Sequence, residues 1–143
     1  LRTVARWADI WNVAGSPSFI HDKNEVLDRH CAEIGRDPSE IQRSVLISAI
    51  FADDDVRKKQ IIEMRSRSDS PSRGQMLGRY ERMSEDEANN AILLGSSEEI
   101  IEQTGKFVDV GVTHFILTVP FPPSKTSPER FASEVMPAFG LKV

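Results

Sequence analysis

Ser44-Val45-Leu46-Ile47-Ser48-Ala49-Ile50-Phe51 is the stretch that decides the fold. All but its two serines are apolar, which predicts a strand covered on both faces, the usual state of a strand in a parallel sheet. Two further short apolar runs flank it, Ala8-Asp9-Ile10-Trp11-Asn12-Val13 upstream and Gly111-Val112-Thr113-His114-Phe115-Ile116-Leu117-Thr118-Val119 downstream. Each run is followed by a helical pattern, so the chain reads as βαβαβα. That alternation predicts an α/β domain built on a parallel sheet with helices on its outside. The chain opens without Met on what reads as a helix end, Leu1-Arg2-Thr3-Val4-Ala5-Arg6-Trp7, and is expected to be part of something larger.

Size and composition narrow the function. The 143 residues, 39% hydrophobic and 28% charged, suit one globular core, and residues 1–143 read as a single α/β domain. A net charge of −4 argues against nucleic acid as a partner, because phosphate binding draws on clustered Lys and Arg. The longest apolar runs fall far short of the ~18 residues of a membrane span, and no basic-then-apolar leader opens the chain; a cytoplasmic protein is expected. The one cysteine, Cys31, allows neither an internal disulfide nor a multi-thiolate metal site, and it reads as helix packing. His21, His30 and His114 are too scattered for a metal motif, so no metal is expected.

Along the chain, Ser16-Pro17 supplies an N-cap and a first-turn proline. Val26, Leu27, His30, Cys31 and Ile34 then follow at the spacing of one helical face, up to the helix-ending Gly35. Asp37-Pro38-Ser39-Glu40 predicts a single turn feeding the strand at 44–51. Asp53-Asp54-Asp55 places negative charge where a helix begins and is read as a helix start rather than a metal site. The pattern loosens near Arg65, and 66–90 reads as an insertion, with a polar loop and a short helix over 75–83. Ser84-Glu85-Asp86-Glu87 and Ser96-Ser97-Glu98-Glu99 both fit the capping box; the second opens an amphipathic helix with Ile100, Ile101, Thr104, Phe107 and Val108 inward. Pro120-Phe121-Pro122-Pro123 breaks the chain, and Ser127-Pro128-Glu129 caps a last helix with Phe131, Val135 and Phe139 on one side.

Four of these stretches together resemble the bacterial luciferase-like monooxygenase family, in the branch that uses the deazaflavin F420. They are Leu1 to Asn12 (LRTVARWADIWN), Val26 to Pro38 (VLDRHCAEIGRDP), Leu94-Gly95-Ser96-Ser97-Glu98-Glu99, and Gly111-Val112-Thr113-His114-Phe115-Ile116-Leu117. The resemblance implies a (β/α)8 barrel of which this chain is the C-terminal portion, supplying about the last three strands. Chemistry in such barrels sits at the C-terminal ends of the strands. It also implies F420, or FMN, as cofactor, bound mostly by N-terminal segments that this sequence does not contain. The activity implied for the intact enzyme is hydride transfer or monooxygenation of a small organic substrate, with the isolated chain inactive.

On that footing the positions at the strand ends become the site candidates. Asn12 is expected to make a polar contact to cofactor or substrate, with Trp11 and Ala14 beside it as cofactor-binding positions, and Phe51 and Phe121 as walls of the substrate pocket. No catalytic residue is assigned: His114 lies early in its strand, toward the structural end of such a barrel. The sequence shows no GxGxxG, P-loop or nucleophile elbow. A different class of reading stays open, a non-catalytic α/β association module that forms homo-oligomers through exposed sheet edges.

Overall fold

The computed structural model describes residues 1–67, 92–118 and 127–140. In chain order these form α1 (Arg2–Trp7), β1 (Ile10–Val13), α2 (Pro17–Glu33), a 3-10 turn (Pro38–Glu40), β2 (Gln42–Phe51), α3 (Asp55–Arg67), β3 (Ile92–Gly95), α4 (Ser97–Asp109), β4 (His114–Thr118) and α5 (Ser127–Arg130). The last helix continues past α5 as a π turn (Phe131–Val135) and a 3-10 turn (Met136–Phe139). The expected helix over 75–83, the capping box at 84–87, nearly all of the insertion, the proline-rich break and Phe121 lie outside the described residues.

β2 is the ten-residue spine of a four-stranded parallel sheet. β1 pairs with it along 42–45, β4 along 44–48 and β3 along 48–51. The α/β class and parallel sheet expected from the apolar runs are therefore present. The strand β3 is an addition to that expectation. Its signal is the run Ile92-Leu93-Leu94 directly before the capping box, which at four residues is too short to show a period of its own.

Local chemistry sets the helix limits. Ser16 Oγ accepts from the Phe19 amide at 3.3 Å with Pro17 in the first turn, and α2 stops before Gly35, which takes φ +70°, a conformation open to glycine at little cost. Asp54 Oδ1 accepts from the Arg57 amide at 2.8 Å to start α3, which runs on to Arg67 past the expected end near Arg65. α4 carries the full capping box: the Ser96 amide donates to Glu99 Oε2 at 2.7 Å and the Glu99 amide to Ser96 Oγ at 3.4 Å. Its buried side is Ile100, Thr104 and Phe107. Val108, expected inward, is 42% exposed, because it sits beyond the arc that meets the sheet.

The core lies between one face of the sheet and the helices. Trp11 and Val13 of β1 and Val45, Ile47, Ala49 and Phe51 of β2 meet Ile20, Leu27 and Cys31 of α2 and Ile100 and Phe107 of α4 there. Phe107 meets Phe115 of β4 edge to face, with ring centroids 6.3 Å apart, a favoured aromatic geometry. The alternate residues of the strands point the other way, and among the described residues no helix covers them. Among the described residues the expectation of cover on both faces thus holds for one face only. Leu46, Ser48 and Ile50 are half-buried, and Asn12, His114, Ile116 and Thr118 are exposed.

Candidate functional site

The uncovered face of the sheet is the candidate site. Side chains alternate along a strand, so register decides which residues share it. Asn12, Ser44 and His114 stand in one row across β1, β2 and β4; Leu46 and Ile116 form the next; Ser48 and Thr118 the one after, toward the C-terminal ends. Rows along a strand are roughly 6.6 Å apart, so the face reads polar, apolar, polar.

Both polar rows are bonded internally. Ser44 Oγ donates to Asn12 Oδ1 at 3.1 Å and lies 2.9 Å from His114 Nδ1. The Ser48 and Thr118 hydroxyls are 2.7 Å apart. Ser44 is wholly buried in spite of its place on the open face, since its two neighbours in the row cover it. Buried hydroxyls are found bonded, and both of this one's partners are side chains brought alongside by register.

The same alternation separates the residues expected at the site. Asn12 is on the open face, whereas Trp11 is 8% exposed and part of the helix-covered core. Ala14 follows β1 directly and is half-buried. Phe51 is on the covered face too, 8% exposed, with the Arg130 guanidinium 4.3 Å from its ring centroid. The structure therefore does not bring Asn12 together with Trp11 and Phe51. It brings Asn12 together with Ser44 and His114, a grouping that pairing register creates and that no motif in the sequence displays.

Arg130 organises a second polar cluster at the C-terminal end of β2. Its Nη1 and Nη2 bond Asp53 Oδ2 and Oδ1, each at 3.1 Å. Its Nε reaches Glu134 Oε1 at 3.2 Å, and Nη2 reaches Ser97 Oγ at 3.2 Å. Ser97 Oγ also donates to Glu134 Oε2. Hydrogen bonds from Arg130 hold the Asp53 and Glu134 carboxyls below the usual carboxylate range, and the two carboxylates in turn raise the guanidinium pKa. Lys58 does the same for Glu99 through a 2.7 Å bond. In this cluster every charge has a partner, so it ties the last helix to α4 and to the turn after β2.

A groove of about 770 Å³ opens at the other end of the sheet, where the strands begin, between α2 and the turn before β4. Its main cation is engaged: Arg43 donates to Asn24 Oδ1 at 3.1 Å, to Asp28 Oδ1 at 2.6 Å and to the Pro38 carbonyl at 2.9 Å. Asn24 Nδ2 in turn donates to the Val110 carbonyl at 2.7 Å. Arg43, Asn24 and Asp28 thus form a structural latch along this groove. Among the described residues no cluster of three or more His, Cys, Asp or Glu could hold a metal ion, and no helix is long and apolar enough to cross a membrane.

Solved structures share this arrangement. An F420-dependent secondary alcohol dehydrogenase, solved with an F420–acetone adduct, superposes with a TM-score of 0.72 at 22% identity, over 96% of this chain and 44% of its own. This chain carries part of a (β/α)8 barrel fold. A long-chain alkane monooxygenase matches with a TM-score of 0.69 at 14% identity, over 99% of this chain and 39% of its own. A riboflavin lyase, solved with modified FMN and riboflavin, gives 0.65 at 14%, over 99% and 41%. The chain thus spans less than half the length of these solved structures. No protein-family model matches the sequence, and no curated protein matches it. In a closed (β/α)8 barrel one face of the sheet is turned to helices and the other to the barrel interior.

Proposed function

We propose that the chain forms part of an F420- or FMN-dependent luciferase-like oxidoreductase, acting by hydride transfer or monooxygenation on a small organic substrate, and that alone it has no turnover. The observation that carries this reading is the open sheet face, polar at Asn12 and at Ser48–Thr118 and apolar between, on a fold whose solved relatives hold F420 or FMN. A deazaflavin or flavin is flat and apolar on its faces and polar along its edge, and the face presents matching groups. Leu46, Ile50 and Ile116 would lie against such a ring, and Asn12, Ser48 and Thr118 would bond its polar edge or the substrate.

When bound, the cofactor supplies the hydride or activates oxygen. The chain's own residues bind, orient and keep water from the ring; none of them is assigned a proton. Titration of F420 and FMN into the 143-residue chain, followed by cofactor fluorescence, tests the proposal. Saturable quenching that Asn12→Ala weakens is the expected result. A folded chain that quenches neither cofactor would overturn cofactor binding by this chain, leave the oxidoreductase role to a longer protein, and favour the association-module reading, which the open face with Ile116 at 40% exposure also supports.

A further inference from the structure

We propose that the Asn12–Ser44–His114 row is a directional hydrogen-bond relay that fixes His114 as the Nδ1–H tautomer and orients the Asn12 amide by holding its oxygen toward Ser44. The argument rests on counting protons. Ser44 Oγ carries one hydrogen and lies 3.1 Å from Asn12 Oδ1, an atom that can only accept. That hydrogen is therefore used toward β1. The remaining contact, 2.9 Å to His114 Nδ1, is a hydrogen bond only if the histidine donates. Ser44 is wholly buried, so no solvent molecule replaces either partner.

The two ends of the row then differ in kind. At the β1 end one lone pair of the Asn12 oxygen is used by Ser44 and its NH2 group keeps two donors; at the β4 end His114 Nε2 is an acceptor. A ligand that suits the row carries an acceptor beside Asn12 and a donor beside His114, on strands two spacings apart. That ligand preference deepens the reading of the open face as a binding surface and depends on it; the relay itself does not. Ser44 is on this account a positioning residue, since it sets what its two neighbours offer without meeting a ligand.

Long-range 1H–15N spectra of the histidine rings in the 143-residue chain without ligand, at about pH 8.5 where imidazole is ordinarily neutral, test the relay. His114 is expected to give the pattern of a protonated Nδ1 and an unprotonated Nε2. Asn12→Ala removes the acceptor of the Ser44 hydroxyl, which then donates to Nδ1, so this variant is expected to switch His114 to Nε2–H. Ser44→Thr keeps a hydroxyl at the position and is expected to keep the native pattern. An Nε2–H tautomer in the unmodified chain overturns the proposal, because it reverses the relay with the Asn12 amide turned over. So does a tautomer unmoved by Asn12→Ala. Since no ligand is present, failure to bind F420 or FMN would defeat the proposed function and leave this result standing.

Discussion

Arg130 bonds Asp53, Glu134 and Ser97 and stacks on Phe51, and so joins the buried Phe131 and Val135 in holding the last helix to the sheet. Replacing it with Met keeps much of the packing and removes the charge. The expected cost is only about 1 kcal/mol, because its carboxylate partners are largely in solvent while the stacking is semi-buried. Thermal unfolding of Arg130→Met should show a drop of a few degrees, as a loss of about 1 kcal/mol does in a domain of this size. The acid side carries a sharper signature. Asp53 and Glu134 titrate below the ordinary carboxylate range chiefly because Arg130 bonds them. Their contribution is present above the unfolded carboxylate values (~4) and is lost as pH falls through the lowered folded ones. Urea unfolding measured from about pH 5 down to pH 3 should therefore show stability falling in the native chain and a shallower slope in Arg130→Met; parallel slopes would refute the assignment. Neither Arg130 nor the Asn12 row was legible residue by residue. Asp53 reads locally as a helix start, and only the tertiary fold turns it toward a residue 77 positions away.

At the scale of elements, capping chemistry governs the α4 start. Ser96→Ala removes the hydroxyl that accepts from the Glu99 amide and should cost about 1 kcal/mol in chemical denaturation. Gly95 precedes the cap at φ +143° with no room for a Cβ, which would press on the Glu99 side chain. Gly95→Ala is accordingly expected to destabilise more than Ser96→Ala in the same assay; equal or smaller loss would mean that Glu99 can move without disturbing its bonds to Ser96 and Lys58. These limits were legible in the sequence, because caps are local: Ser16-Pro17, Gly35, Asp37-Pro38 and Ser96-Ser97-Glu98-Glu99 all mark boundaries where they stand. Strand pairing was not, because register is a relation between distant segments. β3 passed unseen, and Trp11 and Asn12, adjacent in sequence and alike as site candidates, fall on opposite faces of the sheet.

For the whole molecule the uncovered face is the feature with consequences. Apolar side chains left on such a surface favour association, so the 143-residue chain is expected to self-associate with rising concentration in light scattering. Ile116→Lys charges that face and should shift the population toward monomer. Val108→Lys, at a comparably exposed position on α4, should leave it unchanged. Equal effects would mean that association does not use the sheet. The α/β class and the parallel sheet could be read from three apolar runs, since a buried strand writes its burial into its composition. That one face stays open could not, because Leu46 and Ile50 look the same whether they meet a helix or the interior of a barrel.

The central claim is that the C-terminal end of this open face contributes to a cofactor-binding site. Mapping amide chemical shifts in the 143-residue chain as F420 or FMN is added tests it most directly. The account predicts perturbations centred on Asn12, Ser48, Ile50 and Thr118, with the groove around Asn24 and Arg43 unaffected. Shifts confined to that groove or to the outer faces of the helices, or none in a folded chain, would contradict it.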